Sequence, residues 1–384
     1  MRNYLFIGNS TKPTYEKLIS RDEIKLDNVS IPCIEAALSM GYDVYMGINR
    51  MYANELTCAY KVKFYNACIY RSLFDIKSNY RAYKSLMDLL LTEKFNVIHC
   101  NSPIGGVLGR LCGRRAKVPK IIYTAHGFHF YKGAPFINQT LFKWAEMWMA
   151  HYTDVLITIN QEDYEVAKKF KLRRGGTVYY VPGVGVDTKS YQLQKDRNVL
   201  RSSLGLKDDD IILIAMGDLI SRKNYTASIK AIAEAYNSKL HLLICGQGWK
   251  LNELLALAKE LKVEKQIHFL GFRADIKELL QAADIFLFTS YQEGLPRSMM
   301  EAMAAGLPCI VSKVRGNIDL IENGRGGFLC NPEDVNGFAN AISILAADAG
   351  LRRAMGLSNL ETIKPYDVEN VKEEIMKIYE QEII

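Results

Sequence analysis

The 384-residue chain contains no run approaching the roughly 18 apolar residues that a membrane-spanning helix requires. It also has no C-x-x-C pair, and its eight cysteines (33, 58, 68, 100, 112, 245, 309 and 330) are scattered. Cys100, Cys245 and Cys330 lie in apolar, strand-like runs. Buried free thiols in a reducing cytosol fit this pattern better than disulfides or a metal site. No G-x-G-x-x-G fingerprint is present, which argues against a dinucleotide-dependent dehydrogenase. Repeats of 20–50 residues and low-complexity tracts are missing too. Met1-Arg-Asn-Tyr-Leu-Phe-Ile-Gly8 reads straight into a first strand with no small-residue cleavage site after it, so no leader is expected.

What is present is ordinary globular composition, 49% hydrophobic and 24% charged, over a length sufficient for two α/β domains. The net charge of +7 is uneven: residues 1–190 hold 26 Lys/Arg against 16 Asp/Glu, and the remainder 23 against 26. A basic first half implies either an anionic partner (a bilayer surface, a lipid-linked pyrophosphate, a nucleic acid) or charge kept for solubility.

Short apolar runs alternate with amphipathic stretches, the pattern of repeated β-α units. Strands are expected near 3–8, 43–48, 96–100, 120–124, 153–159 and 177–181, then near 211–216, 240–245, 266–270, 284–289, 308–312 and 327–330. Helices are expected near 29–40, 77–93, 104–116, 136–151 and 161–170, then near 223–235, 251–262, 275–282, 297–305 and 334–347. The turn Val181-Pro-Gly-Val-Gly-Val-Asp187 and the polar stretch 187–198 mark a boundary. This gives an N-terminal Rossmann-like domain over 1–187 and a second over 199–365. A terminal helix over 366–384 would then cross back to the first domain. Asp208-Asp-Asp210 reads as a solvated loop rather than a metal site.

Three constellations carry chemistry. In Glu293-Gly-Leu-Pro-Arg-Ser-Met-Met-Glu301 two carboxylates are eight positions apart, a little over two helical turns. Glu293, Gly294, Leu295 and Pro296 form a loop feeding a helix N-terminus, whose free N–H groups and dipole suit a diphosphate. Met216-Gly-Asp-Leu-Ile-Ser-Arg-Lys-Asn-Tyr225 is a strand end, Gly217, and two adjacent cations, Arg222 and Lys223, at a helix start. Such a fork can neutralise charge on a leaving diphosphate. Tyr123-Thr-Ala-His-Gly-Phe-His-Phe-Tyr-Lys132 places His126 at a strand's carboxyl end, where it can donate to a sugar hydroxyl or a reacting oxygen. Gly246-Gln-Gly248 and the Arg273 loop follow two further strands, and Gly8-Asn-Ser10 is a weak glycine loop.

The run from Ala283 through Glu-Gly-Leu-Pro and Glu-Ala-Met-Ala-Ala-Gly-Leu-Pro308 to Leu329 closely resembles the donor half of retaining, family-4 glycosyltransferases. The His-Gly-Phe-His-Phe-Tyr-Lys-Gly segment resembles bacterial enzymes of capsule and exopolysaccharide assembly. The resemblance implies an α/β GT-B fold, two Rossmann-like domains with parallel sheets facing across a central cleft. It implies a metal-independent hexosyltransferase that needs no cofactor and uses a UDP-sugar as co-substrate. Glu293 would then position the donor sugar, Glu301 the ribose, and Lys223 the phosphates. Asp218 stands where the family carries Arg, and Arg222 is expected to supply that charge. Gly217, Gly246, Gly294, Leu295 and Pro296 would line the donor, backbone near Arg273 would read the uracil edge, and His126 would contact the donor sugar.

The first half is expected to face the acceptor, a polyprenyl-pyrophosphate-linked saccharide, with an N-acetylhexosamine as the transferred sugar. Arg110, Arg114 and Arg115 lie along one helix and its exit, near His129 and Lys132 and the Phe-, Trp- and Met-rich stretch 136–151. That stretch either packs in the core or rests on an anionic leaflet at the inner face of a bacterial membrane. Other readings are a same-fold sugar-nucleotide epimerase and a non-catalytic nucleotide-sugar-binding subunit. A nucleic-acid binder would leave the donor motifs unexplained.

Overall fold

Uninterrupted apolar runs bury both faces of a strand, so they belong in parallel sheets covered by helices on each side. The computed structural model has this form and describes residues 2–8, 10, 12–70, 72, 75–192 and 197–383. Asn9 of the weak glycine loop and residues 193–196 of the expected boundary stretch lie outside the described residues. The chain divides into two compact units, Met1–Val184 with Glu369–Ile384, and Gly185–Val368.

The first unit holds β1 (Asn3–Ile7), β2 (Asp43–Ile48), β3 (Val62–Asn66), β4 (Val97–Asn101), β5 (Lys120–Ala125), β6 (Val155–Thr158) and β7 (Thr177–Tyr180). They form one parallel sheet in the order β3-β2-β1-β4-β5-β6-β7. Strand β3 was not anticipated: it is an edge strand with only Phe64 fully buried, so Val-Lys-Phe-Tyr-Asn carries a weak apolar signal. The terminal helix Val368–Glu382 packs in this unit, with Val371, Ile375, Ile378 and Tyr379 in its core. Tyr379 and Tyr4 share a 2.6 Å hydroxyl contact, and both reach Nδ1 of buried His99 at 2.6 and 3.2 Å. Thr124 meets the other ring nitrogen at 2.7 Å.

The second unit holds β8 (Ile211–Met216), β9 (Leu240–Cys245), β10 (Ile267–Gly271), β11 (Ile285–Phe288), β12 (Cys309–Ser312) and β13 (Gly327–Cys330). Their order is β10-β9-β8-β11-β12-β13, again all parallel. In each sheet the winding reverses beside the unit's first strand, between β1 and β4 and between β8 and β11. Such a reversal leaves a crevice at the strands' carboxyl ends. A helix over Ala349–Thr362, absent from the sequence expectation, precedes the terminal one. Asp210 corrects the reading of 208–210 as wholly solvated. It is buried, accepts from Lys207 N at 2.8 Å and lies 3.6 Å from His241. Among the described residues no helix is long and apolar enough to cross a membrane.

Candidate active site

The winding reversal of the second unit brings the ends of β8 and β11 side by side, and the two charged motifs with them. After β8, Gly217 adopts φ +143°, and a Cβ there would lie 3.0 Å from Lys223 Cε. Gly246, after β9, cannot carry a side chain at all, because a Cβ would meet the Gly217 carbonyl at 1.9 Å. Asn224 takes the left-handed conformation (φ 51°, ψ 41°) that Asn tolerates better than most residues, and the helix Tyr225–Glu234 follows. Its amide donates to the carbonyls of Thr289 and Pro332 at 3.1 and 3.0 Å, and Thr289 Oγ1 donates back to the Asn224 carbonyl at 2.8 Å. This stitch fixes the loop after β8 against the end of β11.

Lys223 is thereby set beside Glu293. Its Nζ donates to Glu293 Oε1 at 2.9 Å, and Arg222 donates to the same oxygen at 3.1 Å and to the Gln292 carbonyl at 2.7 Å. Lys223 also sits 4.5 Å from the Phe288 ring centroid. Burial pulls its ammonium below the usual lysine range, opposed by the attraction of Glu293. Asp218 is exposed. Buried Arg315, missed in the sequence, donates to the Glu293 carbonyl at 3.1 Å.

Gly294, Leu295 and Pro296 lead into the helix Arg297–Ala304, with Pro296 as its N-cap. Glu301 on this helix pairs with Arg297 at 3.0 Å. It also bonds Tyr191, a residue not singled out beforehand, whose phenol is pushed upward by burial and then by the adjacent carboxylate. Arg273 closes on Asp275 at 2.7 and 2.5 Å, so its side chain is engaged within its own loop.

In the first unit His126 follows β5, and its Nε2 meets Oδ1 of Asn101 at the end of β4. Burial pushes the imidazole down to about 4, so it is neutral at physiological pH. A carbonyl oxygen can only accept, so Nε2 carries the proton and Nδ1 is the ring's acceptor. Both residues line a cavity with Cys33, Thr124, Ile157 and Val371. Asn101 escaped notice because nothing in the sequence marks the end of β4 as a neighbour of the end of β5.

His129 is exposed and stacks on Phe142 at 5.4 Å, and Lys132 is exposed with its backbone N donating to Glu162 at 2.8 Å. Arg114 and Arg115 are exposed at the end of the helix Pro103–Arg115. Arg110 corrects the expectation. It is 1% exposed, forks onto Glu146 at 2.9 and 3.3 Å and stacks 3.9 Å over Tyr123, so it cannot meet a lipid or an acceptor. The core alternative for 136–151 is overturned as well. Phe136, Ile137, Leu141, Trp144, Met147 and Trp148 are 40 to 81% exposed. All eight cysteines are free thiols.

Comparison with known proteins places this geometry. Residues 40–189 match the family described as Glycosyltransferase Family 4, and residues 196–361 that described as Glycosyl transferases group 1. The chain is 35% identical over 357 residues to EpsD of Bacillus subtilis (strain 168), named as a glycosyltransferase, covering 91% of this chain and 92% of that one. It is 33% identical over 266 residues to an Escherichia coli protein, covering 67% of this chain and 68% of that one. That protein is named UDP-Gal:alpha-D-GlcNAc-diphosphoundecaprenol alpha-1,3-galactosyltransferase. Anabaena HepE in complex with UDP and glucose shares the fold with a TM-score of 0.76 at 18% identity, over 99% of this chain and 100% of that one. Two parallel α/β units with charged motifs at the winding reversal fit these likenesses, and the chain belongs to the family-4 glycosyltransferases of the GT-B fold.

Proposed function

We propose that this glycosyltransferase moves a sugar, an N-acetylhexosamine, from a UDP-sugar to a hydroxyl of a polyprenyl-pyrophosphate-linked saccharide, with retention at the anomeric carbon, in surface-polysaccharide assembly. The observation that carries the reading is the meeting of Lys223, Arg222 and Glu293 at the reversal between β8 and β11. Two cations at a strand end supply the charge a departing diphosphate needs without a divalent ion. Glu301 and Tyr191 take the ribose, Glu293 takes sugar hydroxyls, and backbone near Arg273 takes the base. The leaving phosphate accepts the acceptor's proton on the same face, so no residue need act as a covalent nucleophile. His126 accepts from a substrate hydroxyl through Nδ1. The name of the Escherichia coli relative specifies a sugar on diphosphoundecaprenol as its acceptor, and the basic first half of this chain suits such a pyrophosphate.

The work is done at an anionic membrane surface on the cytoplasmic side. The exposed stripe Ile137, Leu141, Trp144 and Trp148 supports this, since helical spacing puts the four on one face. The test is binding and slow hydrolysis of uridine, guanosine and adenosine diphosphate sugars, with magnesium or with chelator, in wild type and Glu301→Ala. Saturable binding of a uridine diphosphate sugar, indifferent to magnesium and lost in the variant, supports the reading. Donor-only conversion to an epimer would replace it, and absence of any nucleotide-sugar binding would end it.

A further inference from the structure

We infer that Glu293 stands in for the donor's diphosphate while the site is empty, and that it must release Lys223 and Arg222 before they can hold phosphate. The inference rests on the reading of the second unit as a nucleotide-sugar site. Both cations converge on one oxygen, Oε1, at 2.9 and 3.1 Å. The Lys223 and Glu293 side chains are only 11 and 8% exposed, so little water screens the pair. A diphosphate gripped by both cations would come against the carboxylate they already hold, and like charges repel far more strongly in such a setting than in water. Phosphate and carboxylate therefore exchange.

The carboxylate has little freedom to leave. Its main chain is held by Arg315 on the Glu293 carbonyl at 3.1 Å, by Arg222 on the Gln292 carbonyl at 2.7 Å, and by Tyr291 N on the Arg222 carbonyl at 2.9 Å. Only the side chain can swing, and the charge it carries stays in the site without a partner. Hydroxyls of the transferred sugar are the donors that then satisfy it. Glu293 thus couples the two halves of donor recognition. A nucleotide diphosphate bearing a sugar compensates the displaced carboxylate, whereas a bare one leaves it stranded, a selectivity built from an unsatisfied charge. The arrangement penalises retention of the product UDP.

The consequence runs against intuition: removing a charged residue of the site strengthens binding of the anion. The experiment titrates UDP and inorganic diphosphate, in chelator-containing buffer, into wild type, Glu293→Gln and Glu293→Gln/Lys223→Met, with the melting temperature of each recorded. Glu293→Gln should bind both anions about tenfold more tightly than wild type, which corresponds to about 1.4 kcal/mol. The double variant should lose the gain. Should Glu293→Gln fail to fold, Glu293→Asp draws the carboxylate back by one methylene and should shift affinity in the same direction. Equal or weaker binding of both anions by a folded variant overturns the inference, and UDP binding by wild type would leave the nucleotide reading standing. A gain for inorganic diphosphate with no binding of UDP by any form would do the reverse. No binding of either anion ends both.

Discussion

Lys223 changes its chemistry with its surroundings. An ammonium in water is a hydrated point charge, but here burial depresses its pKa, and Glu293 and the Phe288 ring hold it in one position. In the proposed transfer, a cation poised in this way acts where charge builds late, on the departing diphosphate. Lys223→Ala should therefore lower kcat for sugar transfer about a hundredfold, within the range for loss of one preorganised donor. Donor KM should move much less. Near wild-type turnover at saturating donor would remove Lys223 from that role. Glu301 and Tyr191 bind away from the reacting bond in this reading, so Tyr191→Phe should raise donor KM severalfold at nearly unchanged kcat. Steady-state kinetics of the two variants separate the roles. These motifs were visible in the sequence as strand end, loop and helix start. Their meeting was not, because Lys223 and Glu293 are 70 residues apart and touch only once β8 lies beside β11. Asn224, Thr289 and Arg315 stayed hidden for the same reason, since their partners are set by strand order.

Helices and buried strands were legible because their periodicity is a local property. β8, with Leu213 and Ile214 inaccessible, reads as an apolar run whatever surrounds it. The helix Ala349–Thr362 was missed because only Met355, Gly356 and Asn359 are buried, too few to write an apolar stripe. Periodicity is equally silent on what a stripe faces. The segment 136–148 carries its large apolar residues at helical spacing, yet the structure turns Ile137, Leu141, Trp144 and Trp148 outward through a π turn at Asn138–Phe142 and the helix Lys143–Ala150. Glu146 is spent on Arg110, and the exposed Lys143 of this stretch, with the exposed Lys132 just before it, has no ion pair among the described residues. Trp144→Ser/Trp148→Ser should weaken sedimentation with phosphatidylglycerol vesicles at least about tenfold, or about 1.4 kcal/mol, without altering the melting temperature. Unchanged sedimentation would free this face from the membrane. Arg110→Ala acts beneath the same face by leaving Glu146 without its cation. It should cost about 3 kcal/mol of stability, the lower end for a broken buried pair, because Glu146 is 18% exposed. Chemical denaturation of the soluble variant reads that loss directly.

Across the whole molecule, histidine couples both units to acid. The chain has six histidines, and four of them are held below the ordinary imidazole range, chiefly by burial. His99 is brought down to about 3 and His126 to about 4 in the first unit, while His241 and His268 are lowered in the second. A group with a depressed folded pKa takes up its proton more readily in the unfolded chain, so unfolding gains protons as pH falls. The stability these histidines contribute is complete above about pH 6.5, the ordinary imidazole value, and drains away as the pH drops toward 4 and 3. Carboxylates held low, such as Glu382 on Lys120 and Tyr179, add their loss only at the acid end of that range. The melting temperature should therefore fall steadily between pH 6.5 and 4, before most carboxylates titrate. His99 is the sharpest test, since it sits between Tyr4, Tyr379 and Thr124 and joins the terminal helix to the first sheet. His99→Gln keeps a polar group there and cannot ionise. It should lower the melting temperature at pH 7.5 and flatten its slope between pH 6.5 and 4. A slope equal to that of wild type would show that His99 carries none of the acid sensitivity, leaving it to His126 and the His241–His268 pair.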